Sequence, residues 1–228
     1  MLAPLTHLLY RSLYYPLGMY AIFAHGYRVE GRQNVPATGP VLLIGNHQSY
    51  FDIPMMGLAS PRRTFFLAKK SLFRHRLLRW PMEFFGTVAV DNEGFSRAGL
   101  AGILQELQKQ NAVMLYPEGE RSWDGKLAPL KPGVSLLVRR AKCPIVPVGI
   151  AGAFDAWPRT AQLPRFAPPF LARSTTRIAV SVGQAIDGAA LAHCERETIV
   201  QVLSDALAAA IARAKRLQRG TADATTRH

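Results

Sequence analysis

From about residue 28 onward, short unbroken apolar runs alternate with stretches in which apolar residues recur every three or four positions. Val41–Gly45, which follows the turn-forming segment Pro36–Pro40, reads as a buried strand, and Thr64–Ala68 and Thr87–Val90 read likewise. Leu100, Ile103, Leu104 and Leu107 fall on one face of a helix that leads into a strand at Ala112–Tyr116. Val134, Leu137, Val138 and Ala141 repeat that spacing, with Pro132 placed as a first helical residue. Ile145–Ile150 and Arg177–Val182 are further strands. Glu197–Leu217 closes the chain as an amphipathic helix with Ile199, Val202, Leu203, Leu207 and Ile211 inward. Strands alternating with helices predict a single α/β domain, residues 28–219, with a mixed, largely parallel sheet flanked by helices. Residues 220–228 read as a frayed tail.

The first 27 residues differ in character. From Ser12 to Tyr27 sixteen residues carry no Lys, Arg, Asp or Glu. That is short of the roughly 20 a spanning helix needs, and Pro16, Gly18 and His25 interrupt it. There is no basic leader region or small-residue cleavage site, which argues against a signal peptide. Tyr10, Tyr14, Tyr15, Tyr20, Phe23 and Tyr27 suit the boundary between headgroups and hydrocarbon. Residues 1–27 are therefore expected to form one or two membrane-interface helices; the alternative is a helix packed on its own core.

Charge narrows the partners without choosing one. The 228 residues contain 28 Lys and Arg against 15 Asp and Glu, a net charge of +13, which favours anionic surfaces or substrates. Seven of the basic residues fall between Arg62 and Arg79 with no acid among them, interleaved with Phe65, Phe66, Leu67, Leu72, Phe73, Leu77 and Leu78. That mixture suits an anionic membrane, with nucleic acid as the competing partner and a solvated face as the plain alternative. The two cysteines, Cys143 and Cys194, form no CxxC or Cys/His cluster, so neither a disulfide framework nor a zinc site is expected.

Two segments carry candidate chemistry, each directly after a predicted strand, the edge at which open α/β sheets bind ligands. In Asn46-His47-Gln48-Ser49-Tyr50-Phe51-Asp52, His47 is a candidate general base. Asp52, expected to be the N-cap of the helix that contains Pro54, is placed to orient its imidazole. In Tyr116-Pro117-Glu118-Gly119-Glu120-Arg121-Ser122, Gly119 permits a tight turn and Arg121 offers a planar fork for phosphate. Lys131 precedes the next helix, where free N–H groups favour anions. A nucleophile elbow is missing, because Gly133-Val134-Ser135 is followed by two leucines, and no G-x-G-x-x-G follows a strand. A non-catalytic lipid-binding or membrane-tethering protein remains the reading of a different class; it would need the basic and aromatic surface but neither His47 nor Asp52.

Taken in order, these segments resemble the glycerolipid acyltransferase family typified by 1-acylglycerol-3-phosphate acyltransferases. Asn46-His47-x-Ser49-x-x-Asp52 is similar to the NHxSxxD block and Gly86–Asn92 to the second block. Tyr116–Ser122 resembles FPEGTRS, and Ile145–Ile150 resembles the fourth, apolar block. Ala68-Lys69 before Leu72-Phe73, and Lys131-Pro132-Gly133, add to the likeness, which covers roughly residues 28–187. The resemblance implies an O-acyltransferase in which His47 deprotonates an acceptor hydroxyl, supported by Asp52. It places Glu118, Gly119 and Arg121 at the acceptor phosphate, with Lys69 as a plausible further ligand beside Lys131. No metal or bound cofactor is implied; acyl-CoA or acyl carrier protein is the co-substrate. A lysophospholipid is the acceptor, 1-acyl-sn-glycerol 3-phosphate first, and an anionic phospholipid membrane rather than nucleic acid is the partner. The location implied is the cytoplasmic face of a membrane, peripheral or monotopic. Two departures bear on the acceptor. Asn92 stands where the second block has an arginine, with Arg97 five residues on as a substitute. Glu120 stands where the third block has threonine, and needs a cation such as Arg121, Arg97 or Lys131 beside it. They make a different lysolipid, or an amine-bearing one, the alternative acceptor.

Overall fold

A computed structural model describes residues 3–69, 87–90, 97–165 and 176–220, with side chains for Ser12 and for 15–66, 97–165 and 176–220. Its strands are β1 (Arg28–Glu30), β2 (Val41–Gly45), β3 (Thr64–Lys69), β4 (Thr87–Val90), β5 (Ala112–Leu115), β6 (Ile145–Ala151) and β7 (Ala179–Val182). Its helices are α1 (Ala3–His25), α2 (Asp52–Ala59), α3 (Arg97–Gln108), α4 (Gly133–Ala141), α5 (Ala153–Ala156), α6 (Gly188–Leu191) and α7 (Arg196–Arg219).

The strands form one sheet in the order β1-β7-β6-β2-β5-β3-β4. All neighbours run parallel except β6 and β7. This is the mixed, mostly parallel α/β sheet that the periodicity predicts. β2 is buried along its whole length because both of its faces are covered, as a central parallel strand requires. Val41 and Leu43 point into the layer built with α1 and α2, around Ala21, Phe51, Met55 and Leu58. Leu42 and Ile44 point into the opposite layer, with Ile103, Leu137, Leu203 and Leu207. Each Val, Leu, Ile, Phe or Met side chain fully buried in this way contributes about 1.5–3 kcal/mol. Helix α7 lies close on β6, where Gly149 has no side chain: a Cβ there would come within 2.3 Å of the backbone at Ala210 and Ile211.

Residues 3–25 form one helix, α1, in spite of Pro16. Part of it packs on the domain and part faces outward. Ala21 and His25 are fully buried against the domain, whereas Tyr15, Met19, Tyr20, Ile22 and Phe23 stay exposed. No helix among the described residues is long and apolar enough to cross a membrane. β1 pairs with β7, which runs opposite to β6, so α1 delivers its C-terminal end to the edge where β2, β5 and β6 finish.

The basic stretch needs a correction at its start. Arg62 does not belong to an outward-facing patch. Its guanidinium donates to the carbonyls of Pro36, Gly39 and Gln110, closing the loops at the opposite edge of the sheet. Arg63 lies over the ring of Phe65. Lys70 to Arg79, Gly86, Asn92 and the tail 221–228 lie outside the described residues.

Candidate active site

Three adjacent parallel strands, β6, β2 and β5, end at the same edge, and the loops that leave them are tied together by buried polar side chains. Asn46, 1% exposed, accepts from the Ile150 N–H at 2.8 Å and donates to the Ile150 carbonyl at 3.1 Å, locking the exit of β2 to β6. Glu118, 2% exposed, accepts from the His47 N–H at 2.7 Å through one oxygen and from the Ala128 N–H at 2.8 Å through the other. The Ser122 N–H returns a bond to the His47 carbonyl at 2.8 Å. Burial pushes the Glu118 carboxyl up from its ordinary value, opposed by those two backbone bonds.

On this frame, His47 Nδ1 sits 2.7 Å from Asp52 Oδ2. The same oxygen accepts from the Gln48 N–H at 2.5 Å and the Ser49 N–H at 2.8 Å. Asp52 is fully buried, while the His47 side chain keeps 19% of its surface open. With Nδ1 engaged, Nε2 is the ring nitrogen left to face a substrate. The sequence expectation for Asp52 is half corrected. It lies five residues from His47 and pairs with it, but it is the first residue of α2, not its cap, since Phe51 is the N-cap and supplies no side-chain bond. The carboxylate turns back to upstream N–H groups, a local turn that competes successfully with capping. Ser49 is similarly committed, donating to the Trp157 carbonyl at 2.7 Å and accepting from the Phe51 N–H at 3.1 Å.

The ring of Tyr116 stacks on His47 with centroids 4.1 Å apart and 14° between planes. Burial, and secondarily the charge of Asp52, push the Tyr116 hydroxyl well above its ordinary value, so it stays neutral. Arg121 lies with its Cζ 3.8 Å above the ring of Tyr50, a cation–π contact. Its Nη1 is buried with no hydrogen-bond partner. Gly119 has φ +81°, and the side chain of Lys131 runs beside it. The Lys131 N–H holds the Pro117 carbonyl at 2.7 Å.

The candidate residues thus separate. His47, Asp52, Glu118, Gly119, Arg121 and Lys131 come together at one edge. Lys69 ends β3 at that same edge, with its backbone opposite Val90. Arg97 is exposed at the start of α3, past the outermost strand β4. Glu118 is buried with each of its oxygens accepting from a backbone N–H. Glu120 finds its cation in Arg159, 3.6 Å away, and not in Arg121, Arg97 or Lys131. No sequence motif marks Arg159 or the Asn46–Ile150 clamp. Tyr116 is visible in the sequence only as the aromatic that opens its block. Among the described residues, no three His, Cys, Asp or Glu side chains converge as a metal set.

Comparison with known proteins gives this arrangement a family. The chain is 36% identical over 129 residues to the 1-acyl-sn-glycerol-3-phosphate acyltransferase of Saccharomyces cerevisiae, covering 54% of this chain and 42% of that protein. It is 30% identical over 134 residues to a chloroplastic 1-acyl-sn-glycerol-3-phosphate acyltransferase of Brassica napus, covering 57% of this chain and 38% of that protein. It therefore spans well under half the length of these two curated relatives. The fold matches the crystal structure of the 1-acyl-sn-glycerophosphate (LPA) acyltransferase of Thermotoga maritima with a TM-score of 0.70 and 20% identity, over 92% of this chain and 81% of that one. Residues 26–151 match the Acyltransferase family, and because they make up more than half of the 228 residues and include both the His47–Asp52 and the Glu118–Arg121 segments, the chain belongs to that family.

Proposed function

We propose that the protein transfers a fatty acyl group from an acyl thioester, acyl-CoA or acyl carrier protein, to the free hydroxyl of a lysophospholipid. The observation that carries this is the Asp52 oxygen shared between the His47 ring and the backbone at Gln48 and Ser49. That arrangement favours the proton on Nδ1 and leaves the Nε2 lone pair available. The acceptor hydroxyl passes its proton to Nε2 as its oxygen attacks the thioester carbonyl. The tetrahedral intermediate then expels the thiolate, which recovers that proton from the imidazolium. Asp52 stabilises the imidazolium in between. A positioned base of this kind contributes about 10²–10⁴-fold, and alignment of the two substrates adds to it.

Arg121, with Lys131 and Lys69, is the proposed anion grip, and Arg97 is a more distant candidate. Gly119 serves that grip by allowing the tight turn of its loop, and Glu118 serves the base by holding the His47 backbone. The pairing of Glu120 with Arg159 favours a phosphate-bearing acceptor over an amine-bearing one, since the extra carboxylate is already compensated. The relatives are named for 1-acyl-sn-glycerol 3-phosphate, which we take as the first acceptor. The exposed aromatic and aliphatic side chains of α1 support a peripheral or monotopic seat on an anionic phospholipid membrane, at its cytoplasmic face where acyl thioesters are held. The test is transfer of a labelled acyl group from either carrier to a panel of lysolipids in vesicles. Transfer by the wild-type protein that disappears in a folded His47→Ala variant is expected. Vesicle binding without any transfer would favour the tethering alternative.

A further inference from the structure

The loop that carries Arg121 is held from outside by one residue of another loop. Arg159, which follows α5, donates from Nη1 to the Arg121 carbonyl at 3.0 Å. The same nitrogen lies 3.6 Å from Glu120 Oε2, and the guanidinium carbon lies 3.5 Å over the ring of Trp123. One side chain therefore contacts a carboxylate, a carbonyl and an aromatic face within residues 120–123. Its own platform is anchored to the catalytic segment. Ser49 Oγ donates to the Trp157 carbonyl, the Trp157 ring packs on Tyr50 and Phe51 with centroids 5.1 Å apart, and Trp157 Nε1 donates to the Ala161 carbonyl at 3.0 Å. Tyr50 in turn lies beneath the Arg121 guanidinium.

These contacts divide the work between two arginines. Glu120 is the chain neighbour of Arg121, and its side chain is 58% exposed. Left alone, it would be the nearest counter-ion for Arg121 and a repelling charge for an incoming phosphate. Arg159 occupies it. An exposed ion pair alone is worth little, but here the same guanidinium also fixes the backbone and stacks on a ring, which adds orientation that a point charge lacks. We infer that Arg159 is a positioning residue for the acceptor: it neutralises Glu120 and pins the 120–123 loop so that Arg121, stacked on Tyr50, is presented to the phosphate. This rests on the acyl transfer and acceptor class proposed above.

Steady-state kinetics of the full chain on vesicles, with acyl-CoA as donor and 1-acylglycerol 3-phosphate as acceptor, test it. Arg159→Ala is expected to raise the acceptor KM about tenfold, the scale of one charge-assisted hydrogen bond, with kcat and donor KM within about twofold. Arg159→Lys, which keeps the charge without the fork, should fall between. Adding Glu120→Thr to Arg159→Ala should recover most of the lost acceptor affinity, a rescue that a merely structural residue would not show. Thermal melts of each variant establish that folded proteins are compared; if Arg159→Ala does not fold, Arg159→Lys with and without Glu120→Thr carries the same comparison. An unchanged acceptor KM, a loss confined to kcat, or a double variant no better than the single overturns the role of Arg159 and leaves the proposed activity standing. No transfer by the wild-type protein overturns both.

Discussion

Asp52 Oδ2 lies 2.7 Å from His47 Nδ1 and accepts at the same time from the backbone N–H groups of Gln48 and Ser49. One oxygen thus orients the ring and folds the loop that carries it. Asp52 Oδ1 is buried with no partner. In Asp52→Asn, the amide oxygen can take the place of Oδ2 while the NH₂ takes the place of Oδ1. The geometry should survive, at about 1–3 kcal/mol for a buried unpaired donor, while the charge that stabilises the imidazolium is lost. Turnover is expected to fall about 10²-fold or more with a near-native fold. His47→Ala should lose measurable turnover; it also removes the stack on Tyr116 and one partner of the buried Asp52 carboxylate, so some loss of melting temperature is expected while the fold is retained. Near-normal transfer by a folded His47→Ala protein would remove His47 from the mechanism.

Glu118 makes a different kind of contribution. Its two oxygens serve His47 and Ala128, residues that approach it from opposite directions along the chain. Glu118→Gln keeps one acceptor but sets an NH₂ against a backbone N–H, for an expected loss of about 1–3 kcal/mol. Because the displaced group is the backbone of His47, kcat should drop while acceptor KM changes little. A rise in acceptor KM with kcat intact would mean that Glu118 acts at the phosphate after all.

Those two carboxylates mark how far the sequence could be read. β2, β5 and β6 were legible because each is a short apolar run that ends at a turn, and strands buried on both faces leave that signature. β1 was not legible: Arg28-Val29-Glu30 is a polar three-residue edge strand with no periodicity to see. The spacing of His47 and Asp52 suited the pair, but the local rule for the start of a helix assigned the carboxylate to a cap, and tertiary placement of the Gln48 and Ser49 N–H groups won. The bond from the His47 N–H to Glu118 was not legible, because nothing local reveals a side chain turned toward the backbone of a residue 71 positions away. Arg159 is invisible for the same reason, as its contacts join loops 38 residues apart in sequence. Arg62 shows the converse error, a charge counted toward a surface patch that is spent on three carbonyls.

At the junction of α1 with the domain, pH should matter. His25 is fully buried, its ring 4.5 Å from that of Phe51 and 5.7 Å from that of Tyr20. Burial lowers its pKa from the ordinary histidine value, against a smaller upward pull from a hydrogen bond with the Thr176 backbone. A depressed folded value means that the unfolded chain takes up the proton first. The stabilisation is complete above the ordinary value and is lost as pH falls through the lowered one. The melting temperature should therefore decline on mild acidification, and His25→Gln should flatten that slope. An identical slope in the variant would assign the acid sensitivity to other groups.

Gly149 offers the sharpest test of how the fold supports the site. A methyl group there would lie 2.3 Å from the Ala210 carbonyl carbon and the Ile211 nitrogen, and 2.4 Å from the Ala210 oxygen. These are backbone atoms of a helix whose inward residues Ile199, Leu203, Leu207, Ala210 and Ala214 are fully buried, so no side-chain rotation relieves the collision. Overpacking a core ordinarily costs about 1–3 kcal/mol; displacing a packed helix should exceed that, and Gly149→Ala is expected to lower the urea midpoint sharply. The consequence should also reach the chemistry. Gly149 adjoins Ile150, whose N–H and carbonyl both bind Asn46, and Asn46 precedes His47. Shifting β6 away from α7 strains that clamp, so turnover per folded molecule should fall along with stability. A Gly149→Ala protein with the wild-type midpoint would mean that α7 lies farther from β6 than the structure has it, and one destabilised yet fully active per folded molecule would mean that the Asn46 clamp does not hold His47 in its working position.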